Sequence, residues 1–233
     1  MYIVCLNGLK RSGKDYAADI LMDFFKRYGV HSERTSFAKE LRFVCQTIFG
    51  ATAEQLQEKK DEVSTFYFND ALFDARIKMS GIPFGSGIQL MSAIHEQMML
   101  DELFIPYEFD SLACRSYMQM TGRQLLRLVG NAVREVEPDY WVKQVVRESE
   151  LNGGNNSVLL VTDCRMLNEA KIADMVVNIQ NPTVTSDGHS TEQPLPFTAI
   201  NQCLVNNMDA AYKIRVQHLG ELIIRNVNKK MRG

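Results

Sequence analysis

The sequence predicts an α/β fold: a parallel sheet with helices on both faces. Three observations carry that prediction. Apolar, β-branched runs at Tyr2 to Leu6, Ser157 to Thr162 and Met175 to Ile179 have the length and composition of buried strands. Segments with helical periodicity lie between and around them, which implies parallel strands joined by helical crossovers. The length, 233 residues, suits one α/β domain with room for an inserted lid.

Taken in order, Tyr2-Ile3-Val4-Cys5-Leu6 is a strand that ends at Asn7-Gly8. From Lys14 the period changes. Ala17, Leu21, Phe24, Phe25 and Tyr28 share one helical face, with Asp19, Asp23, Lys26 and Arg27 on the other, and Gly29 stands where helices commonly close. Residues 33–49 predict a strand edge and then a helix from about Phe37. Residues 50–116 predict a helical insertion within a single 1–233 domain. Its parts are the charged stretch Glu54 to Glu62, the aromatics Phe66 to Phe68, a Gly/Ser turn at Gly81 to Gly87 and the Met-rich run Met91 to Met99. Residues 117–150 read as two helices parted by Glu137-Pro138-Asp139, where the proline can begin the second. Asn152 to Asn156 is a loop, and a helix runs from Asn168 to about Asp174. Residues 181–200 are loop-like, Cys203-Leu204-Val205 is a last short strand, and Tyr212, Val216, Leu219, Ile223 and Val227 mark a C-terminal helix.

Composition narrows the function classes. The 26 basic and 28 acidic side chains nearly cancel, whereas a non-specific nucleic-acid binder needs a basic excess. Five scattered cysteines without a C-x-x-C pair suggest reduced thiols in a cytoplasmic compartment. Neither a signal peptide nor an apolar run long enough for a membrane span is evident. No zinc-ligand spacing occurs among the histidines, and His189, with Ser190 and Thr191, shows no acid–His–nucleophile order.

Chemistry is concentrated in Gly8-Leu9-Lys10-Arg11-Ser12-Gly13-Lys14, which matches G-x-x-x-x-G-K between a strand and a helix. In such a loop successive backbone N–H groups cradle a phosphate, and the helix N-terminus adds favourable partial charge. Gly8, Lys10, Arg11, Ser12, Gly13 and Lys14 are therefore the candidate donor-phosphate residues. Lys14 is placed to offset charge between the β- and γ-phosphates. The next residue is Asp15, where Ser or Thr is usual; a carboxylate also holds Mg²⁺ as a hard oxygen donor, and it suits a helix N-terminus in any case.

A second constellation, Asp163-Cys164-Arg165 through Asn168-Glu169, stands at the C-terminal end of a core strand, where open α/β sheets place their ligands. Asp163 suits Mg²⁺ or its waters, and Arg165 suits charge compensation on a transferring phosphoryl group. A third group is cationic. Lys39 and Arg42 lie on one early helix and Arg123, Arg127 and Arg134 on a later one, a residue type fitted to a monophosphate. Trp141, the sole tryptophan, suits either a core or a base platform.

These residues resemble bacteriophage-type deoxynucleoside monophosphate kinases, beginning with GLKRSGKDYAADIL, since the loop lysine of that family is characteristically followed by Asp. The likeness continues through SFAKELR (36–42), MTGRQLLRLVGNAVREVEPDYWV (120–142), VLLVTDCRMLNEAKIA (158–173), HSTEQPLP (189–196) and CLVNNMDAAYKI (203–214). It implies a P-loop NTPase fold of the nucleoside-monophosphate-kinase type, ATP and Mg²⁺, and a dNMP acceptor converted to dNDP. Lys14, Asp15, Asp163, Arg165 and Glu169 then carry over as catalytic residues, with Asp15 and Asp163 on the metal side. Asn207 resembles the asparagine near the donor adenine. Lys39, Arg42, Arg123, Arg127 and Trp141 fall on the acceptor side, although the family commonly has a small polar or acidic residue where Arg123 stands. The opening also resembles phosphomevalonate kinase, and the loop with the FA-K segment resembles dephospho-CoA kinase. A non-catalytic ATP-binding module is the alternative of a different class. A homodimer through residues 66–105 is a further expectation.

Overall fold

The computed structural model describes residues 1–152, 157–185 and 195–232, the side chain of Asn152 excepted. Most of the predicted 152–156 loop and residues 189–194 of the HSTEQPLP segment therefore lie outside the described residues. Along the chain the elements are β1 (Tyr2–Asn7), α1 (Lys14–Arg27), β2 (His31–Thr35), α2 (Phe37–Phe49), α3 (Ala53–Leu56), β3 (Val63–Phe68), α4 (Phe73–Ser80) and α5 (Gly87–Leu100). They continue with β4 (Tyr107–Asp110), β5 (Arg115–Thr121), α6 (Gly122–Val136), α7 (Tyr140–Asn152), β6 (Ser157–Val161), α8 (Leu167–Ala170), β7 (Met175–Gln180), β8 (Gln202–Val205) and α9 (Ala210–Arg232). The chain divides into two compact units, Met1–Phe37 with Val142–Gly233, and Ala38–Trp141.

The first unit is a mixed α/β body around a five-stranded sheet, ordered β2-β6-β1-β7-β8, with every pairing parallel. Val4 and Leu6 of β1, Val158 and Leu160 of β6, and Val177 and Ile179 of β7 pack with Ala17, Leu21 and Phe24 of α1 and Val216, Leu219 and Ile223 of α9. The alternate residues Cys5, Leu159, Val161 and Val176 are buried as well. Burial on both faces explains why these strands read as unbroken apolar runs. Where α1 must stop, Gly29 takes a left-handed φ of 68°. Its N–H donates to Lys26 O at 3.3 Å and that of Val30 to Phe25 O at 3.0 Å, which satisfies the last carbonyls and turns the chain into β2.

Residues 50–116, expected as a helical insertion, hold strands as well as helices. The second unit spans 38–141, and it holds a three-stranded antiparallel sheet, ordered β3-β5-β4, beside its helices. Phe66 and Phe68 of β3 and Met118 and Met120 of β5 are buried, while Thr65, Tyr67, Tyr117 and Gln119 alternate with them. That period of two is a strand's. The charged stretch 54–62 forms only the four-residue α3 and turns. The Met-rich run is helical, as α5, which Ser86 caps by accepting from Gln89 N–H. Residues 117–121, expected to be helical, belong to β5. The helix proper starts at Gly122 behind a capping box: Thr121 Oγ1 accepts from Gln124 N–H at 3.1 Å, and Gln124 Oε1 accepts from Thr121 N–H at 2.8 Å. Gly122 is dictated by space, since a Cβ there would lie 2.0 Å from Gln55 O.

Candidate functional site

The loop between β1 and α1 lies at the C-terminal end of the central strand. From β1 the chain goes to one side of the sheet, to β2, and later returns past β1 to β7 on the other. Such a reversal is where open parallel sheets leave a crevice for ligands. The loop backbone is in the positive-φ region at Gly8 (142°), Arg11 (65°) and Gly13 (98°). Glycine is needed at its two ends for reasons of room as well as conformation. A Cβ on Gly8 would sit 2.3 Å from Ile179 O, and one on Gly13 would sit 2.3 Å from Asn206 Nδ2.

Inside this curve the hydroxyl of Ser12 is buried and has no hydrogen-bond partner. A buried hydroxyl left unmet costs about 1–3 kcal/mol. The Lys14 ammonium donates to two carbonyls of its own loop, Gly8 O and Leu9 O, each at 2.7 Å. Lys10 and Arg11 are exposed on the loop's outer side. The loop is also braced from behind. Asn206, 3% exposed, donates through Nδ2 to Ser12 O at 2.9 Å and accepts from Met208 N–H at 3.0 Å. Tyr212 donates to Gly13 O at 3.5 Å. Burial pushes its phenol up to about 12, so it stays a neutral donor near neutral pH.

Asp15 opens α1 with its carboxylate engaged by Arg34 of β2, which also reaches Asp19 at 2.9 Å. At the end of β6, Asp163 Oδ1 accepts from Phe37 N–H at 2.8 Å and so caps the start of α2. Arg165 is exposed just beyond. Glu169 is 4% exposed and works on the turn itself, accepting from the N–H groups of Arg165 at 2.7 Å and Met166 at 3.0 Å. Both bonds fix the backbone at Arg165 and Met166. Between Asp163 and Arg165, Cys164 is buried beside Cys5, and that thiol neighbour together with burial raises its pKa, so it is no nucleophile. Asn7 secures the same turn by donating to Cys164 O at 2.9 Å.

The residues expected on the donor side, Gly8 to Asp15 with Asp163, Arg165, Glu169 and Asn207, thus all fall in the first unit. Asn207 is exposed, and the asparagine that reaches the loop is its neighbour Asn206. Lys39, Arg42, Arg123, Arg127 and Trp141 belong to the second unit. There Arg123 makes a two-pronged pair with Asp61, at 2.6 and 3.0 Å, and Arg127 Nη2 lies 3.2 Å from Asp101. Trp141, grouped with the acceptor side, is a core residue: it is 2% exposed and donates to Gly130 O at 3.3 Å, leaving no ring face for a base. Among the described residues no group of three or more His, Cys, Asp or Glu side chains is placed to hold a metal ion. No described helix is long and apolar enough to cross a membrane.

No protein-family model matches this chain, and no curated protein matches it.

Proposed function

We propose that the protein is a P-loop phosphotransferase that moves the γ-phosphoryl group of ATP to a deoxynucleoside monophosphate. The observation that carries the reading is the loop at the end of β1. It is a left-handed backbone curve with a buried, unmet Ser12 hydroxyl inside it and an ammonium folded onto its carbonyls. That combination is a cradle for a polyphosphate. An anion there gives Ser12 a partner and offers Lys14 a charged acceptor.

In the proposed reaction an oxygen of the acceptor phosphate bonds to the γ-phosphorus, the bond from that phosphorus to the β–γ bridging oxygen breaks, and ADP departs. Lys14 offsets charge gathering at the bridging oxygen, and Arg165 offsets charge on the transferring group. Glu169, by fixing two N–H groups of the turn, holds Arg165 at the sheet end. Mg²⁺ is commonly held by one or two protein carboxylates, and Asp15 and Asp163 would be its donors from this chain. When bound it neutralises phosphate charge.

A second reading, a nucleotide-binding module without an acceptor, is favoured by one observation: two of the arginines assigned to the acceptor already serve carboxylates. An ADP-release assay separates the two. The substrates are dGMP, dTMP, hydroxymethyl-dCMP, phosphomevalonate and dephospho-CoA. Acceptor-dependent ADP release with a dNMP is the expected result. Turnover only on a non-nucleotide rejects the stated acceptor, and release indifferent to every acceptor leaves the binding module.

A further inference from the structure

Arg34 has no place in the scheme above, yet its guanidinium engages the carboxylate that follows Lys14. It sits on β2, an edge strand whose neighbour in the sheet is β6. Its register partner there is Leu160, which packs on the α1 face. From that face its guanidinium bridges Asp15 and Asp19, two acids one helical turn apart on α1. Like charges at that spacing repel, and Arg34 cancels the repulsion between them. The two arms differ in what they serve. The Asp19 arm ties helix to strand well along α1, whereas the Asp15 arm fixes the acid adjoining the loop lysine. The same short stretch of chain also meets Asp163, through Phe37 N–H, and Glu148, through Thr35 Oγ1 at 3.2 Å. Residues 34–37 thus hold both carboxylates assigned to Mg²⁺.

We propose that Arg34 is a positioning residue for Asp15: it orients that carboxylate and cancels its charge beside the phosphate cradle. This rests on the loop being a polyphosphate site. Without Arg34, an uncompensated Asp15 opposes the phosphates, most strongly when no divalent cation is present to screen it.

The test is titration calorimetry of the full chain with ATP, with Mg²⁺ and in EDTA. In EDTA, Arg34→Ala weakens ATP binding by roughly three- to tenfold, the range expected for coupling through a partly exposed pair. Arg34→Gln, which keeps the stem packed, does the same, and Arg34→Lys recovers most of the affinity. In an Asp15→Asn background the loss on removing Arg34 falls below about twofold, because the charge to be cancelled is gone. Asp19→Asn breaks the other arm and changes ATP affinity by less than about twofold. An Arg34→Ala loss of equal size with Asp15→Asn overturns the proposal, since Arg34 would then act on the phosphate or through the fold. Absence of any ATP binding by the wild-type chain removes the cradle reading and this inference together.

Discussion

The loop after β1 and the helix α6 both gather cations, but in different backbone settings. On α6, Arg123 and Arg127 lie against Asp61 and Asp101 of the same unit, although Arg127 Nε and Asp101 Oδ2 are themselves buried without a hydrogen bond. In the loop, the ammonium of Lys14 rests on neutral carbonyls, and a hydroxyl is buried with nothing to bond. A protein interior rarely tolerates an unmet polar group unless something outside the chain completes it. The lesson is that cation content alone does not mark an anion site. What sets the loop apart is that its unmet hydroxyl lies within a left-handed backbone curve at the end of a central strand.

Removing the group most exposed to the reaction is the largest expected effect. Arg165→Ala lowers phosphoryl-transfer kcat by roughly 10³-fold or more, as loss of a charge-compensating arginine does in comparable reactions. ATP affinity measured by calorimetry stays near the wild-type value. A variant that transfers at an unchanged rate would remove Arg165 from the chemistry. The contrast sharpens at Ser12. Ser12→Ala deletes the buried unmet hydroxyl, so thermal stability holds or rises by about 1–3 kcal/mol, while ATP affinity falls about tenfold. Melting curves and calorimetry on one sample read both. A loss of stability together with unchanged affinity would make the hydroxyl structural. The smallest effect belongs to α6. Arg123→Ala costs under about 1 kcal/mol, because its pair with Asp61 is largely exposed. ATP affinity does not move, and the KM for a dNMP acceptor changes less than about threefold. A KM rise of 10²-fold would show that the arginine leaves Asp61 for substrate, and would erase the contrast between the two regions.

Much of the first unit was legible because its signals are local and strong. Val158-Leu159-Leu160-Val161 is buried on both faces, so a parallel core strand appears as an apolar run. Gly8 and Gly13 bracket a loop whose backbone needs them. The second unit hid its sheet for an opposite reason. β5 reads Arg-Ser-Tyr-Met-Gln-Met-Thr, and methionine and glutamine carry little strand preference, so the alternation that buries Met118 and Met120 is masked. At the site, no local pattern reports a contact across the sequence. Asn206 lies 194 positions from Ser12, and Arg34 lies 19 from Asp15, on a separate strand. Trp141 was ambiguous because a solitary tryptophan carries the same signature inside a core and beneath a base.

The central strand of the sheet has a consequence for synthesis. β1 is made first, but its two partners in the sheet, β6 and β7, begin at Ser157 and Met175. The second unit is one unbroken stretch, Ala38–Trp141, that emerges from the ribosome ahead of either partner. Translation therefore holds the glycine-bracketed loop unshaped while the inserted unit gathers its own antiparallel contacts. The brace at Asn206 arrives only after the last strand. The order of emergence makes the shaped loop after β1 among the last things this chain can build.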